Sequence, residues 1–368
     1  MGPVTVVEQD EGDGRFRTLD PFQDLEAIVE LIDLAFGDKL DPVAKATLAR
    51  MRQFARGGVL VQWLWAIRGM AAVSPGLVWV EGGRVVGNVS LRRARRRGGY
   101  LIGNVVVHPD WRRRGIATAM MEAALRVISE AGGRWVGLEV RADNVGAQKL
   151  YAGLGFLEVG RTLHLLRPEG VSYERRPLPD GMRRATSKDG DDLVGLVRAV
   201  ISEEQRPLLE VQESEYRPHW VRWLRFLLCG ETEQWWVARG TGGIAGAVRA
   251  VRERGAFPNR LEILVRPGAE DVGRPLVQRG VASLRGSPGK PIAVALPTGL
   301  DLVVTALEDE GFDRTHTLVQ MKRGLIRPIR VKSREAGGLD EVGTGQGSGA
   351  MGEVGMGGWS KAGPPWTD

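Results

Sequence analysis

The feature that most constrains this chain of 368 residues is an order of elements that occurs twice, about 157 residues apart. In the first copy Phe16–Leu19 reads as a strand, and Asp20-Pro21 opens a helix carrying Leu25, Ile28, Val29, Ile32 and Phe36 at helical spacing. A second helical region covers Asp41–Arg68. Strand-like segments follow at Leu77–Glu81, Arg84–Arg93 and Tyr100–His108, the first two joined by Gly82-Gly83. A helix over Gly115–Ala131, a strand over Arg134–Arg141, a helix over Val145–Leu154 and a strand over Phe156–Leu165 complete the unit. The second copy runs through a strand at Met182–Ala185, a helix at Asp191–Ile201, and strands at Trp235–Ala238, Ile244–Arg254 and Arg260–Val265. It closes with a helix at Val272–Leu284, a strand at Ile292–Leu296, a helix at Leu302–Glu310 and a strand at Phe312–Lys322. Such a repeat predicts a mixed α/β class with two similar domains, 15–166 and 181–326, joined by a proline-bearing linker, 167–180.

The flanks read differently. Residues 1–14 are rich in glycine and acid, and 11 of the 32 residues from Gly337 to Asp368 are glycine. Neither stretch can bury enough surface to offset its chain entropy, so disorder is expected over 1–14 and 333–368.

Composition narrows the chemistry. Hydrophobic residues make up 43% and charged residues 26%, enough for ordinary cores. One cysteine, Cys229, excludes an internal disulfide framework and a cysteine-based metal cluster. His108, His164, His219 and His316 stand far apart, none at metal-ligand spacing, so no metal site is expected. No apolar run approaches the roughly 18 residues of a membrane span, and Arg68 interrupts the longest candidate. The acidic start lacks the order of a secretory signal, so a cytoplasmic protein is expected. The net charge is +6, and Arg92-Arg93-Ala94-Arg95-Arg96-Arg97 is the densest positive tract. It reads as the solvated end of a hairpin. No aromatic residues interleave with it, which leaves nucleic-acid binding little support.

The informative segment is Asn104-Val105-Val106-Val107-His108-Pro109-Asp110-Trp111-Arg112-Arg113-Arg114-Gly115-Ile116-Ala117. A buried strand ends at Pro109, and a short basic loop enters a helix whose first turn holds Gly115 and Ala117. Free amides at a helix start, in a loop whose small residues permit close approach, make an anion cradle. The pattern R-x-x-G-x-A after a strand resembles the pyrophosphate-binding loop of GNAT-family acyl-CoA N-acyltransferases. Further on, Asn144-Val145-Gly146-Ala147-Gln148-Lys149-Leu150-Tyr151, then Gly155-Phe156, resembles that family's distal motif. Leu138-Glu139-Val140-Arg141 is similar to its RimI-like branch, which acetylates protein N-termini. The element order extends the resemblance over residues 15–166.

The resemblance implies two tandem GNAT-like domains, acetyl-CoA as co-substrate, and direct acetyl transfer to a primary amine in a ternary complex. It assigns Asn104, Val105 and Val106 to main-chain contact with acetyl-CoA, and Arg112, Arg113, Arg114, Gly115, Ile116 and Ala117 to its pyrophosphate. Asn144 matches a cofactor-contacting asparagine, Tyr151 the acid that protonates the departing thiolate, and Glu139 the base that deprotonates the amine. A phenol suits the acid role because its ordinary pKa, near ~10, keeps it protonated at neutrality. The residues also admit plainer roles. Tyr151 can cap a core, Asn144 can be a helix cap as well as a contact, and strand alternation sets Glu139 on a face that is either solvent or cleft. His108 reads as a packing or surface residue. After Phe156, the run Gly160-Arg161-Thr162-Leu163-His164-Leu165-Leu166 departs from the paired-tyrosine segment of the RimI-like branch. That favours a small-molecule amine or peptide over protein N-termini as acceptor, with the RimI-like activity as the alternative.

The second copy loses the chemistry. Aligning Val107-His108-Pro109 with Val265-Arg266-Pro267 sets Glu270, Asp271, Gly273 and Pro275 against Arg112, Arg113, Gly115 and Ala117. Aligning Gly155-Phe156 with Gly311-Phe312 sets Leu307, Leu300 and Ala295 against Tyr151, Asn144 and Glu139. Two carboxylates then face the anion position, and a proline removes an amide. A degenerate second domain is expected. Trp220, Trp223, Leu224, Leu227 and Leu228 form one helical stripe there that reads as core, followed by Cys229. A rival reading makes the whole chain a non-catalytic acyl-CoA sensor or scaffold.

Overall fold

The computed structural model describes residues 10–11, 14–37, 42–56, 76–171, 181–217, 232–240, 243–253, 255, 257–284 and 290–325. The apolar stripe at 220–228, Cys229, residues 57–68 of the second helical region, most of the linker and the tail from 333 lie outside them.

The first copy contains strands β1 (Asp10–Glu11) and β2 (Gly14–Thr18), helices α1 (Pro21–Phe36) and α2 (Pro42–Arg56), and strands β3 (Gly76–Glu81), β4 (Arg84–Arg93) and β5 (Gly99–Val107). Helix α3 (Ile116–Glu130), strand β6 (Trp135–Arg141), helix α4 (Val145–Gly153) and strand β7 (Leu157–Arg167) follow. The second copy holds β8 (Met182–Arg184), α5 (Gly190–Val200), β9 (Thr232–Gly240), β10 (Gly243–Arg252), β11 (Asn259–Val265), α6 (Gly273–Ser283), β12 (Ile292–Pro297), α7 (Asp301–Asp309) and β13 (Asp313–Gly324). Asp10 and Glu11, expected in an unstructured leader, pair with Arg15 and Gly14 instead, because the sheet edge offers their amides and carbonyls partners.

Each copy starts with the same lock. Arg17 forks onto the buried Asp24, whose carboxylate also accepts from the Asp20 amide at 2.8 Å. Arg183 forks onto the buried Asp189, which accepts from the Thr186 amide at 2.7 Å. The guanidinium holds the Asp189 carboxyl well below the usual carboxylate range.

The strands do not form two sheets. Among the described residues they form one thirteen-stranded sheet in the order β1-β2-β3-β4-β5-β6-β13-β7-β12-β11-β10-β9-β8, and the described residues of both copies belong to one compact unit. The closing strands are exchanged. β13 of the second copy lies between β6 and β7 of the first, with Gln320 opposite Glu139 on one side and Gly160 on the other. β7 in turn lies between β13 and β12, with His164 opposite both Ala295 and His316. Each exchanged strand also brings an arginine to the last helix of the other copy: Arg323 donates to the Leu154 carbonyl at 2.5 Å and Arg167 to the Glu310 carbonyl at 2.7 Å. Cations there offset the partial negative charge of unpaired helix carbonyls. The repeat was legible in the sequence, but the exchange was not, since either closing strand fits either slot by pattern.

Helices cover both faces. In the first copy, α3 packs Met120, Met121, Ala124 and Ile128, and α4 packs Tyr151, with Val136, Leu138 and Val140 of the sheet. On the opposite face α1 packs Leu25, Ile28, Val29 and Ile32 against Val78 and Val106. Lower on that face, beneath β5 and β6, sits a segment of the second copy: Leu208 packs with Ala94 and Leu101, so close that a Cβ on Gly137 would lie 2.7 Å from its Cγ. The basic tract docks on the same segment. Arg92 meets Glu210 at 2.7 Å and the Arg95 amide donates to that carboxylate at 3.3 Å, so part of the patch is neutralised within the molecule.

Candidate active site

The site is made by two strands that part company. β5 and β6 run parallel through Gly99↔Trp135 to Ile102↔Leu138 and then diverge. On the other side of β5, the register with β4 steps from Ser90↔Gly103 to Asn88↔Val106, which takes Asn104 and Val105 out of the ladder. Asn104 takes the turn of this bulge with φ of +49°, a region that asparagine tolerates better than most residues. Asn88, fully buried, secures it by donating to the Asn104 carbonyl at 2.9 Å.

A cavity of about 500 Å³ opens where the strands separate. It brings together Val105 and Val106 from β5, Arg112, Arg113, Gly115, Ile116 and Ala117 from the basic loop and helix start, and Asn144 and Tyr151 from α4. Nine of the twelve expected residues therefore line one opening. Asn104 shapes the bulge beside it. Arg114 folds away, its guanidinium 4.5 Å above the Trp111 ring and donating to the Asp110 carbonyl at 3.3 Å.

The loop is built to leave amides unpaired. His108 caps the short turn 109–111 by accepting from the Asp110 amide at 3.3 Å, and Arg112 donates its Nε to the Val107 carbonyl at 3.1 Å. Its first residues thus settled, the loop reaches Arg113 and Gly115, both left-handed with φ of +62° and +81°. Gly115 caps α3 without a side chain. The first amides of α3 have no partner within the helix by position. A Cβ built on Gly115 meets nothing within 4 Å. Positive helix-end charge, exposed guanidinium groups and open space suit a polyanion such as a pyrophosphate.

At the other wall, Asn144 caps α4 by accepting from the Ala147 amide at 3.1 Å and also faces the cavity, so both roles meet in one residue. Tyr151 is 5% exposed and lies edge-on to Phe156. Burial pushes its phenol up to about 12, so it stays protonated far above neutrality. Sequence reading missed Arg141 and Asp143, which line the cavity as a pair 3.0 Å apart. Arg141 was passed over as the end of a motif.

Glu139 is not in this cavity. Leu138 and Val140 face the α3 side, and Glu139 emerges on the opposite face, one residue past the last β5–β6 pair. Its side chain reaches solvent, yet the surrounding protein pushes its carboxyl above the ordinary value, against the pull of a hydrogen bond from Gln320 and the charge of Arg92.

Residues 47–156 match the family model described as Acetyltransferase (GNAT) family. The chain carries a GNAT acetyltransferase domain. A mycothiol acetyltransferase from Clavibacter michiganensis is 35% identical over 130 residues, 33% of this chain and 40% of that protein. The ribosomal protein bS18-alanine N-acetyltransferase of Escherichia coli is 40% identical over 55 residues, 15% of this chain and 37% of that enzyme. The matched stretches thus span about two fifths of the length of these curated relatives. In fold, the chain is similar to a tandem GNAT protein from the clavulanic acid biosynthesis pathway, at TM-score 0.52 and 16% identity, covering 84% of this chain and 98% of that one. A mixed sheet carrying the GNAT arrangement twice is therefore the fold.

The second GNAT-like copy keeps the strand divergence, with β11 and β12 pairing up to Leu261↔Val294. The cradle is gone. Gly273 has an ordinary helical φ of −61°, and a Cβ on it would lie 2.7 Å from Val303 Cγ2, so the helix start is packed shut. Glu270 turns its carboxylate onto the Gly268 amide at 2.8 Å. Leu307, opposite Tyr151 in the repeat, is wholly buried in the apolar core. The contrast gives a paired prediction. Gly115→Ala, which forces a left-handed alanine and puts a methyl into the cradle, weakens acetyl-CoA binding at least about tenfold by calorimetry. Gly273→Ala lowers the melting temperature and leaves that affinity unchanged.

Proposed function

We propose that this chain is an acetyl-CoA-dependent N-acetyltransferase, acting in the cytoplasm on the primary amine of a small molecule or peptide. The first copy (15–166) is the catalytic domain and the second (181–326) has lost the cofactor site. The observation that carries the reading is one opening lined by the Gly115 cradle, Val105 and Val106 at the end of the β5 bulge, and Tyr151, with Glu139 one residue past the last β5–β6 pair. Bound acetyl-CoA supplies an activated acetyl thioester. In this reading the amides of Gly115, Ile116 and Ala117, with Arg112 and Arg113, hold the pyrophosphate, and Asn144 borders the adjoining arm. Val105 is out of the β4 ladder, and both Val105 and Val106 lie beyond the last β5–β6 pair; main-chain groups open on that side are the kind of fixed donor that favours developing negative charge on a carbonyl oxygen. Glu139 takes a proton from the amine, directly or through water, and its raised pKa makes it a stronger base than a free carboxylate. Tyr151 holds a proton beside the place where a thiolate would depart.

The test is release of free CoA from acetyl-CoA over a panel of polyamines, amino acids, aminoglycosides and N-terminal peptides. Turnover on one amine class is expected. Acetyl-CoA binding without turnover on any amine would make the chain a sensor or scaffold, and turnover confined to protein N-termini would favour the RimI-like alternative.

A further inference from the structure

The exchanged strand brings a side chain of the degenerate copy onto the residue proposed as base. Gln320, on β13, is fully buried and sits directly opposite Glu139 on β6. Its Nε2 donates to Glu139 Oε1 at 2.9 Å and to Thr162 Oγ1, on β7, at 3.0 Å. One amide nitrogen from the second copy thus joins two strands of the first. The amide is aimed at a cost: its own oxygen is buried without a hydrogen-bond partner, a state that protein interiors usually avoid. Turning the amide over would set its oxygen against the Glu139 carboxylate instead.

The repeat supplies an internal control. The position matching Gln320 in the other exchanged strand is His164, which lies opposite Ala295, the counterpart of Glu139. Its ring stacks on His316 with 4.5 Å between centroids. The carboxylate–amide pair exists only where the cofactor cradle also exists.

We propose that Gln320 is a positioning residue for Glu139, so that the second copy, though it has lost its own site, completes the first. This rests on the acetyltransferase reading for what Glu139 does, but not for the contact itself. The amide fixes one carboxylate oxygen and stabilises the ionised form. Of the other charges near Glu139, Arg92 also favours its ionised form, and each is already held in an ion pair. Arg92 on β4 is bridged to Glu210, Arg141 on the same strand to Asp143, and Arg161 on β7 to Glu158. From β13 and β7 the facing groups, Gln320 and Thr162, are neutral. An N–H donated to a carboxylate favours its charged form, so removing the donor makes Glu139 harder to ionise.

The full chain is labelled with carboxyl-13C glutamate, the Glu139 resonance is assigned with Glu139→Gln, and its titration is followed in wild type, Gln320→Met and Thr162→Val. Methionine keeps the length and unbranched shape of glutamine without the donor. In Gln320→Met the Glu139 midpoint moves to a roughly tenfold lower proton concentration, and the acid limb of kcat/KM moves with it. Activity lost at neutral pH returns at higher pH, and acetyl-CoA affinity is unchanged. In Thr162→Val, where the amide loses one anchor but keeps Glu139, both move the same way by less. An unmoved midpoint in folded Gln320→Met overturns the proposal, and should that variant not fold, an unmoved midpoint in Thr162→Val does so. A midpoint that moves in a protein that turns over no amine leaves Gln320 holding Glu139 and defeats the acetyltransferase reading instead.

Discussion

Tyr151→Phe is expected to lower kcat at least a hundredfold while the dissociation constant for acetyl-CoA stays within about twofold. The split follows from what the change removes. The ring stays, with its edge contact on Phe156 and its place in the core under α3 and α4. Only the hydroxyl goes, and with it the proton that burial holds on the oxygen up to about pH 12. A residue that merely closed the core would tolerate phenylalanine with no kinetic effect. Single-turnover measurement of CoA release, beside calorimetry of acetyl-CoA binding, separates the two. An unchanged kcat would take Tyr151 out of the mechanism.

The second large effect concerns folding. A fragment ending at residue 180 contains every expected site residue, yet it is expected to give no cooperative unfolding transition. Without β13, strand β6 loses the partner that faces it from Leu318 to Gly324, and β7 loses partners on both sides. The core over β6 loses Val319 and Met321, each 5% exposed or less. The last carbonyl of the α4 end loses Arg323. Hydrogen bonds left unmade in a buried ladder cost about 1–3 kcal/mol for each stranded group, so a few such losses exceed the net stability of a small domain. Circular dichroism on heating, compared with the full chain, reads the result. A sharp melt in the fragment would mean that the first copy closes its sheet without the second.

Local pattern carried most of the elements. The apolar spacing of Leu25, Ile28, Val29 and Ile32 and the glycine at the head of α3 placed helices within a residue or two, because these signals are fixed by neighbours in the chain. The strand, loop and helix start between Asn104 and Ala117 were legible for the same reason, since they are contiguous in the chain. What could not be read were relations between distant segments. Nothing local distinguishes a β13 that returns to β12 from one that crosses to β6, since Val319 and Met321 bury equally well in either slot. Gln320 was passed over because its partner stands 181 positions away and its polarity looked like that of an outward strand residue. Arg114 misled in the opposite direction. Its charge counted toward the cradle, but the Trp111 ring beside it offered the guanidinium a nearer surface.

The crossing of β13 also sets a schedule for synthesis. A ribosome makes β6 early and Asp313 far later, with the whole of the second repeat in between. At translation speeds of about 5–20 residues per second, that edge waits on the order of ten seconds or more. During that interval the nascent chain presents Val136, Leu138 and Val140 on an unzipped border, the kind of template on which strands from other molecules add. Cells making this protein would be expected to need a holding chaperone on the emerging first repeat, and slowing elongation across the second should lower the soluble yield.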